Sequence, residues 1–277
     1  KHLWLYEGST EYTAHHVQVW SGIKTPEQFL ATLSQKIDYS RSYFKDTLSF
    51  TELSKESAGK WAQQYVNVYM KGALISACLD LQLLKSSNGQ YGIKDLKHDL
   101  SIKYGKEKFF EDEELFDVVT EMTFPEIRNF FNTYVSGTQP LPYEQYFALA
   151  GVEYLPTESY RDFTIGGIQT NPTNEGMVKV GIRNMNSVGE KLGYKDGDEL
   201  VSINDSLVTA DNIDKILERL YAVLKEGDMI SIKVNRKNAD GKTELLTLSA
   251  PAVKVDKSRK HVLRFIPNPS ASQLKIR

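Results

Sequence analysis

Leu3-Trp4-Leu5-Tyr6-Glu7-Gly8-Ser9-Thr10-Glu11-Tyr12 is the most informative stretch of the chain. Apolar and aromatic side chains open it, and two carboxylates follow. Glu7 and Glu11 stand four residues apart, one helical turn along the same face. The chain starts Lys1-His2 with no methionine and no leader, and reads like the middle of an element of a larger protein. By itself, a glutamate followed by glycine on an aromatic-rich helix is more often a solvated carboxylate than a ligand.

Outward from there the pattern stays helical to about Ala150. Apolar residues recur at three- and four-residue spacing: Val17 and Trp20; Phe29, Leu30, Leu33 and Ile37; Ala73, Leu74, Ala77, Leu81 and Leu84. Thr25-Pro26-Glu27-Gln28 is a helix start, with Thr25 as N-cap, Pro26 in the first turn and Gln28 closing a capping box. Asp95–Tyr104 is a further helix with Gly105 just past its end, and Thr123-Phe124-Pro125-Glu126 begins another. After Leu155-Pro156 the composition changes. Glycines cluster between Gly166 and Gly197, and apolar residues alternate in Met177–Ile182, Leu200–Ile203, Met229–Val234 and Leu245–Leu248. One helix interrupts them, Asn212–Lys225, with Ile213, Ile216, Leu217, Leu220 and Leu224 on one face. Three segments are expected: a helical unit 1–155, a β-rich unit 156–255, and a loosely held basic extension 256–277.

The opening stretch resembles the L-W-x-x-E-G-x-T-x-Y-Y segment of the glycyl-aminopeptidase family, a branch of the gluzincin zinc metallopeptidases, with Thr13 in place of the final aromatic. Asn67-Val68-Tyr69-Met70-Lys71-Gly72-Ala73-Leu74 resembles that family's Y-x-K-G-A-L. Phe130-Phe131-Asn132-Thr133-Tyr134-Val135-Ser136-Gly137, continuing to Leu141-Pro142-Tyr143, resembles the segment that closes its helical subdomain. The resemblance implies an α+β multidomain fold: the α-helical C-terminal half of a thermolysin-like (gluzincin) catalytic domain, then a β-rich PDZ domain. It maps the third zinc ligand onto Glu7 and the hydrogen-bond donor to the tetrahedral oxyanion onto Tyr69. Glu11 would orient a ligand from behind, and Gly72 would allow close helix approach. Catalytic zinc takes three protein ligands and leaves a position open for water, which explains the need for such a carboxylate.

The family's two zinc histidines, spaced H-E-x-x-H, occur nowhere in the chain. Its five histidines are His2, His15, His16, His98 and His261. Adjacent residues on a helix point about 100° apart, so His15 and His16 cannot chelate one ion well and are expected at the surface or between domains. The implied parent is therefore a bacterial zinc aminopeptidase favouring small, glycyl N-termini. The chain alone is expected to hold no zinc and to be inactive. Its truncated side is expected to expose Leu3, Trp4 and Leu5.

Lys191-Leu192-Gly193-Tyr194-Lys195-Asp196-Gly197-Asp198, running on to Ile203-Asn204, resembles the PDZ pattern A-G-L-x-x-G-D-x-I-x-x-I-(N/D)-G. Such domains bind extended peptides by strand addition and capture a terminal carboxylate in a glycine-rich loop. By position that loop is Ile165-Gly166-Gly167-Ile168, a small anion nest. Its partner would be a peptide or protein C-terminus, or the chain's own catalytic domain. A net charge of −2 lacks the basic bias of a nucleic-acid binder. No apolar run approaches the roughly 20 residues that span a bilayer. Cys78, the single cysteine, sits in an apolar run and is expected in the core. The alternative function is a non-catalytic scaffold that holds peptides through the PDZ groove. The two are told apart by whether Glu7 and Tyr69 converge. Compartment, periplasmic or cytoplasmic, stays open.

Overall fold

The computed structural model describes all 277 residues. The helices are α1 (Ser9–Trp20), α2 (Pro26–Tyr43), α3 (Phe50–Glu56), α4 (Asn67–Ser86), α5 (Ile93–Tyr104), α6 (Leu115–Met122), α7 (Glu126–Phe130), α8 (Tyr143–Ala148), α9 (Ser187–Leu192), α10 (Ile213–Val223) and α11 (Ala271–Ile276). The strands are β1 (Val152–Phe163), β2 (Gln169–Pro172), β3 (Val178–Gly181), β4 (Glu199–Ile203), β5 (Ser206–Leu207), β6 (Met229–Lys237), β7 (Thr243–Pro251) and β8 (Lys254–Phe265). Wide π-type turns occupy Trp4–Gly8 and Phe131–Val135. The chain forms two compact units, one of residues 1–158 with 259–277, the other of residues 159–258. It passes from the first to the second within β1 and back within β8.

The first unit is built around α4. That helix is apolar on nearly every face, so it can only be stable when surrounded. Ala73, Leu74, Ile75, Leu79 and Leu83 are fully buried on it, in one core with Leu33 and Ile37 of α2, Phe50 of α3 and Leu96 of α5. Cys78 lies inside this core, where burial pushes its thiol up. The capping box on α2 is present: Thr25 Oγ1 accepts from Gln28 N at 3.2 Å, and Gln28 Oε1 accepts from Thr25 N at 2.9 Å. Several buried polar groups here have partners, among them Asp80 and Lys36. Asp80 accepts from the Tyr12 hydroxyl and from Ile93 N, both at 2.7 Å, tying α1 and the start of α5 to α4. Lys36, 5% exposed, pairs with Glu11 at 2.6 Å. Trp4 is not exposed as expected; it is fully buried against Phe131, with ring centroids 5.1 Å apart, and Leu3 and Leu5 are partly covered.

The tail also departs from expectation. Residues 256–277 are not a loose extension. β8 pairs with β1, and α11 follows with its own capping box at Ser270. The basic residues that read as a solvated tail meet acids of β1: Arg264 reaches Glu153 at 2.7 Å and Glu158 at 2.6 Å. The His261 ring lies 2.7 Å from the Tyr154 hydroxyl, and Arg277 donates to Gly151 O at 3.0 Å. Alternation was masked in the sequence because most outward positions of β8 are charged.

The second unit is an antiparallel sheet of order β2-β3-β4-β6-β7, with β5 paired to β4. Val178, Val180, Ile203, Ile230, Ile232 and Val234 fill its core. Asn204 and Asp205 both take positive φ between β4 and β5, where Ile203 pairs with Ser206. A two-residue hairpin turn needs that conformation, and Asn and Asp tolerate it where the PDZ pattern has glycine. Asp198, 2% exposed, takes a two-pronged bond from Arg236 at 2.7 and 2.6 Å and caps the turn at Lys195 N at 2.8 Å. Two helices, α9 and α10, flank the sheet. This is a PDZ-like arrangement with β2 on the edge.

Candidate functional site

The two quoted motifs of the first unit meet through their glycines. A Cβ placed on Gly8 would lie 2.5 Å from Gly72 C, and one on Gly72 would lie 2.9 Å from Gly8 Cα. No other residue type lets two helical backbones approach so closely. Ser76 Oγ donates to Gly72 O of its own helix at 3.0 Å and reaches across the crossing to Trp4 O at 3.4 Å. Lys71, buried, donates to Asp46 O at 2.8 Å and Leu48 O at 3.3 Å, so it anchors the loop before α3 rather than facing the site.

The crossing sets Glu7, one residue before Gly8, beside Tyr69, one turn before Gly72. Both side chains are partly exposed. The Tyr69 hydroxyl lies 3.2 Å from that of Tyr65, with the rings edge to face at 5.8 Å. The Tyr69 pKa is pushed up to about 12, first by the Tyr65 hydrogen bond, then by burial, and further by the charge and hydrogen bonding of the Glu7 carboxylate. Tyr69 is therefore a neutral phenol across the physiological range, a hydrogen-bond donor held next to a carboxylate. Glu7 sits in the π-type turn Trp4–Gly8, whose extra residue per turn shifts it off the regular α-helical stripe. Such turns recur at functional sites.

Glu11 has other company. Its carboxylate pairs with Lys36 at 2.6 Å and with His15 at 3.1 Å. Burial pushes the Glu11 carboxyl up, but Lys36 and His15 outweigh it and hold it below the usual glutamate range. Its partners tie α1 to α2 and do not include Glu7. His15 and His16 are half-buried within the first unit rather than on an open surface. His16 stacks on Phe29 at 5.4 Å and lies 4.7 Å from the Trp20 ring. An apolar cavity of about 340 Å³ opens beside His16, lined by Trp20, Phe29, Phe147 and Asp80, and contains neither Glu7 nor Tyr69.

Glu7 could give one ligand to a metal ion. No three His, Cys, Asp or Glu side chains of the chain come together as a metal-binding group, so by themselves these residues do not fit a zinc site. Tyr65 is a site residue the sequence reading passed over. Its position four before Tyr69 was the available signal, since residues so spaced meet along a helical turn.

In the second unit, Ile165-Gly166-Gly167-Ile168 forms a tight loop with Gly166 at φ +119° and Gly167 at φ +64°. A Cβ on Gly166 would lie 2.6 Å from Gly189 Cα on α9, and one on Gly167 would lie 2.8 Å from Asn184 O. The amides of Gly166 and Gly167 both donate to Thr164 Oγ1, at 3.0 and 3.2 Å.

Together these features define a helical unit that sets Glu7 beside Tyr69 and, after it in the chain, an antiparallel sheet unit with two helices. Residues 1–75 match the family model of the M61 glycyl aminopeptidases. No curated protein sequence matches the chain. Among solved structures, an aminopeptidase N family protein from Idiomarina loihiensis aligns over 99% of this chain and 48% of its own, at 21% identity and a TM-score of 0.53. The chain thus spans about half of that structure. The PDZ domain of EpsC from Vibrio cholerae aligns over 31% of this chain and 99% of its own, at 18% identity and a TM-score of 0.24.

Proposed function

We propose that the chain is the C-terminal part of a zinc-dependent aminopeptidase that removes small, glycyl residues from peptide N-termini. The observation that carries this is the Gly8–Gly72 crossing, which brings Glu7 and Tyr69 to one place. A scaffold that only holds peptides has no need of that pairing. Glu7 acts as one of the three protein ligands catalytic zinc takes, the other two coming from histidines outside these 277 residues. Tyr69, kept protonated by its neighbours, donates a hydrogen bond to the oxygen on which charge develops during peptide hydrolysis. Tyr65 holds the Tyr69 hydroxyl in place. Glu11 steadies α1 through Lys36 and so fixes the helix that follows Glu7. The chain alone, with one carboxylate, neither holds zinc tightly nor cleaves peptides.

The test is release of glycine from glycyl 4-nitroanilide by the natural polypeptide that contains these residues, against the chain alone. Chelator-sensitive activity in the polypeptide and none in the chain is the expected result. A natural polypeptide with no H-E-x-x-H ahead of Lys1 and no bound zinc would overturn the proposal.

A further inference from the structure

The cavity beside His16 plays no part in the pairing of Glu7 with Tyr69. It lies wholly within the first unit, between α1, α2 and α4, with Phe147 of α8 and Phe265 of β8 on its wall. Protein interiors leave few voids larger than a water molecule. A volume of about 340 Å³ is instead that of a small-molecule site. Apolar side chains make up most of the wall, and Trp20, Phe29, Phe147 and Phe265 bring four aromatic rings to it.

The polar groups of the wall select the charge of an occupant. Asp80 lies on it, 5% exposed, and no basic side chain forms an ion pair with it. Its two oxygens take one bond each, from the Tyr12 hydroxyl and from Ile93 N. A carboxylate offers about four acceptor positions, so about two remain unused. Burial pushes the Asp80 carboxyl up, and the bonds from Ile93 N and Tyr12 offset only part of this. His16 faces the same space and makes ring contacts but no hydrogen bond. Burial lowers its pKa from the ordinary 6.5, so at pH 7 the ring is neutral and gives Asp80 no countercharge. Glu27, exposed, is the second carboxylate of the lining and also has no ion pair. The one lysine or arginine there, Arg277, is committed: it donates to Ala150 O at 3.2 Å and Gly151 O at 3.0 Å, and lies over the Phe265 ring at 4.2 Å. An anionic ligand would meet two carboxylates. A neutral one would dry the wall around Asp80 and leave its charge uncompensated. A cation is stabilised twice, by the carboxylate and by the faces of the rings. The Trp20 ring already takes one such group, Lys94 Nζ, 5.4 Å from its centre.

We propose that this cavity binds a small organic amine, an arylalkyl or alkyl body ending in one ammonium group, with Asp80 as its counter-ion, His16 as a hydrogen-bond acceptor and the Trp20 and Phe29 rings as walls. The site includes neither Glu7 nor Tyr69, so it stands or falls apart from the chemistry proposed for that pair.

The test uses the full chain, labelled with ¹⁵N, and three probes that differ only in the polar end: 2-phenylethylamine, 2-phenylethanol and 3-phenylpropanoate. At pH 7 the amine is expected to move the Trp20 indole signal, identified with Trp20→Phe, and to leave those of Trp4 and Trp61 in place. Its affinity should exceed that of the alcohol by about tenfold, the size of one desolvated cation–π contact or charge-assisted bond. The acid should not bind. Asp80→Asn keeps the shape and removes the charge, and should bring the amine down to the affinity of the alcohol. Glu27→Gln changes an exposed side chain and should cost the amine only about twofold. Equal affinity for amine and alcohol, or tighter binding of the acid, would overturn the proposal. So would a Trp20 signal unmoved by the amine at millimolar concentration. The wild-type comparison decides even if Asp80→Asn fails to fold.

Discussion

Two pairs of glycines sit at the two candidate sites, and they do opposite work. Gly8 and Gly72 come from different motifs and touch each other, so two helices cross backbone to backbone and their neighbours Glu7 and Tyr69 are left facing outward together. Gly166 and Gly167 are adjacent in sequence and press on α9 and on the segment leading into it, so their loop folds inward and their two amides close on Thr164. A glycine in a motif therefore signals close approach, but what the approach frees or fills depends on which backbone lies opposite. In one unit it leaves Glu7 and Tyr69 side by side; in the other it turns two loop amides onto Thr164.

The largest effect expected is from breaking the first approach. Gly8→Ala puts a Cβ 2.5 Å from backbone that cannot yield, and should destabilise the first unit by about 3 kcal/mol, the upper end for overpacking. All three tryptophans, Trp4, Trp20 and Trp61, lie in that unit, so urea unfolding followed by tryptophan fluorescence reports it. A midpoint unchanged from wild type would mean that the crossing is looser than described. Gly166→Ala strikes the second approach and should leave that fluorescence transition in place while disrupting the amide signals of β2–β7.

Next in size is Glu11→Gln, which leaves the buried Lys36 charge without its anion. The expected cost is about 2 kcal/mol at pH 7, below the cost of opening a fully buried pair because Glu11 is partly exposed. The Glu11 carboxyl is held below its ordinary value of 4.5, so its contribution is complete above that pH and is lost as the pH falls through its folded value. Wild type and variant should therefore converge in acid and separate above pH 4.5. A gap that persists at pH 2 would assign the effect to packing instead of charge.

The smallest effect is local. Tyr65→Phe removes the leading cause of the high Tyr69 pKa and should lower it from about 12 toward the ordinary 10, followed by ¹³C NMR of ring-labelled tyrosine. Glu7→Gln should lower it by less. An unmoved Tyr69 in Glu7→Gln would separate the two side chains and remove the basis for a shared site.

Much of this could be read from residues. The capping box at Thr25, the apolar helix around Ala73–Leu84 and the turn at Asn204-Asp205 each have a local cause, and local causes are visible in sequence; the close approach at Gly72 was expected only from the family resemblance. What could not be read depended on distant partners. Trp4 is buried because Phe131 lies against it, and the basic tail is ordered because Glu153 and Glu158 face Arg264. The commitment of Glu11 to Lys36 spans α1 and α2. The capped loop was missed for a different reason: Thr164 lies one residue outside the glycine motif, and a hydroxyl there has no signature until its rotamer is known.

The most direct measurement pairs two substitutions in the natural polypeptide, with rate and bound zinc read separately for each. Tyr69→Phe should keep its zinc and lose about 10²–10³-fold in kcat with little change in KM, as removal of an oxyanion donor does. Glu7→Gln should lose both zinc and activity. A Tyr69→Phe enzyme as fast as wild type, or a Glu7→Gln enzyme with full zinc content, would contradict the shared site.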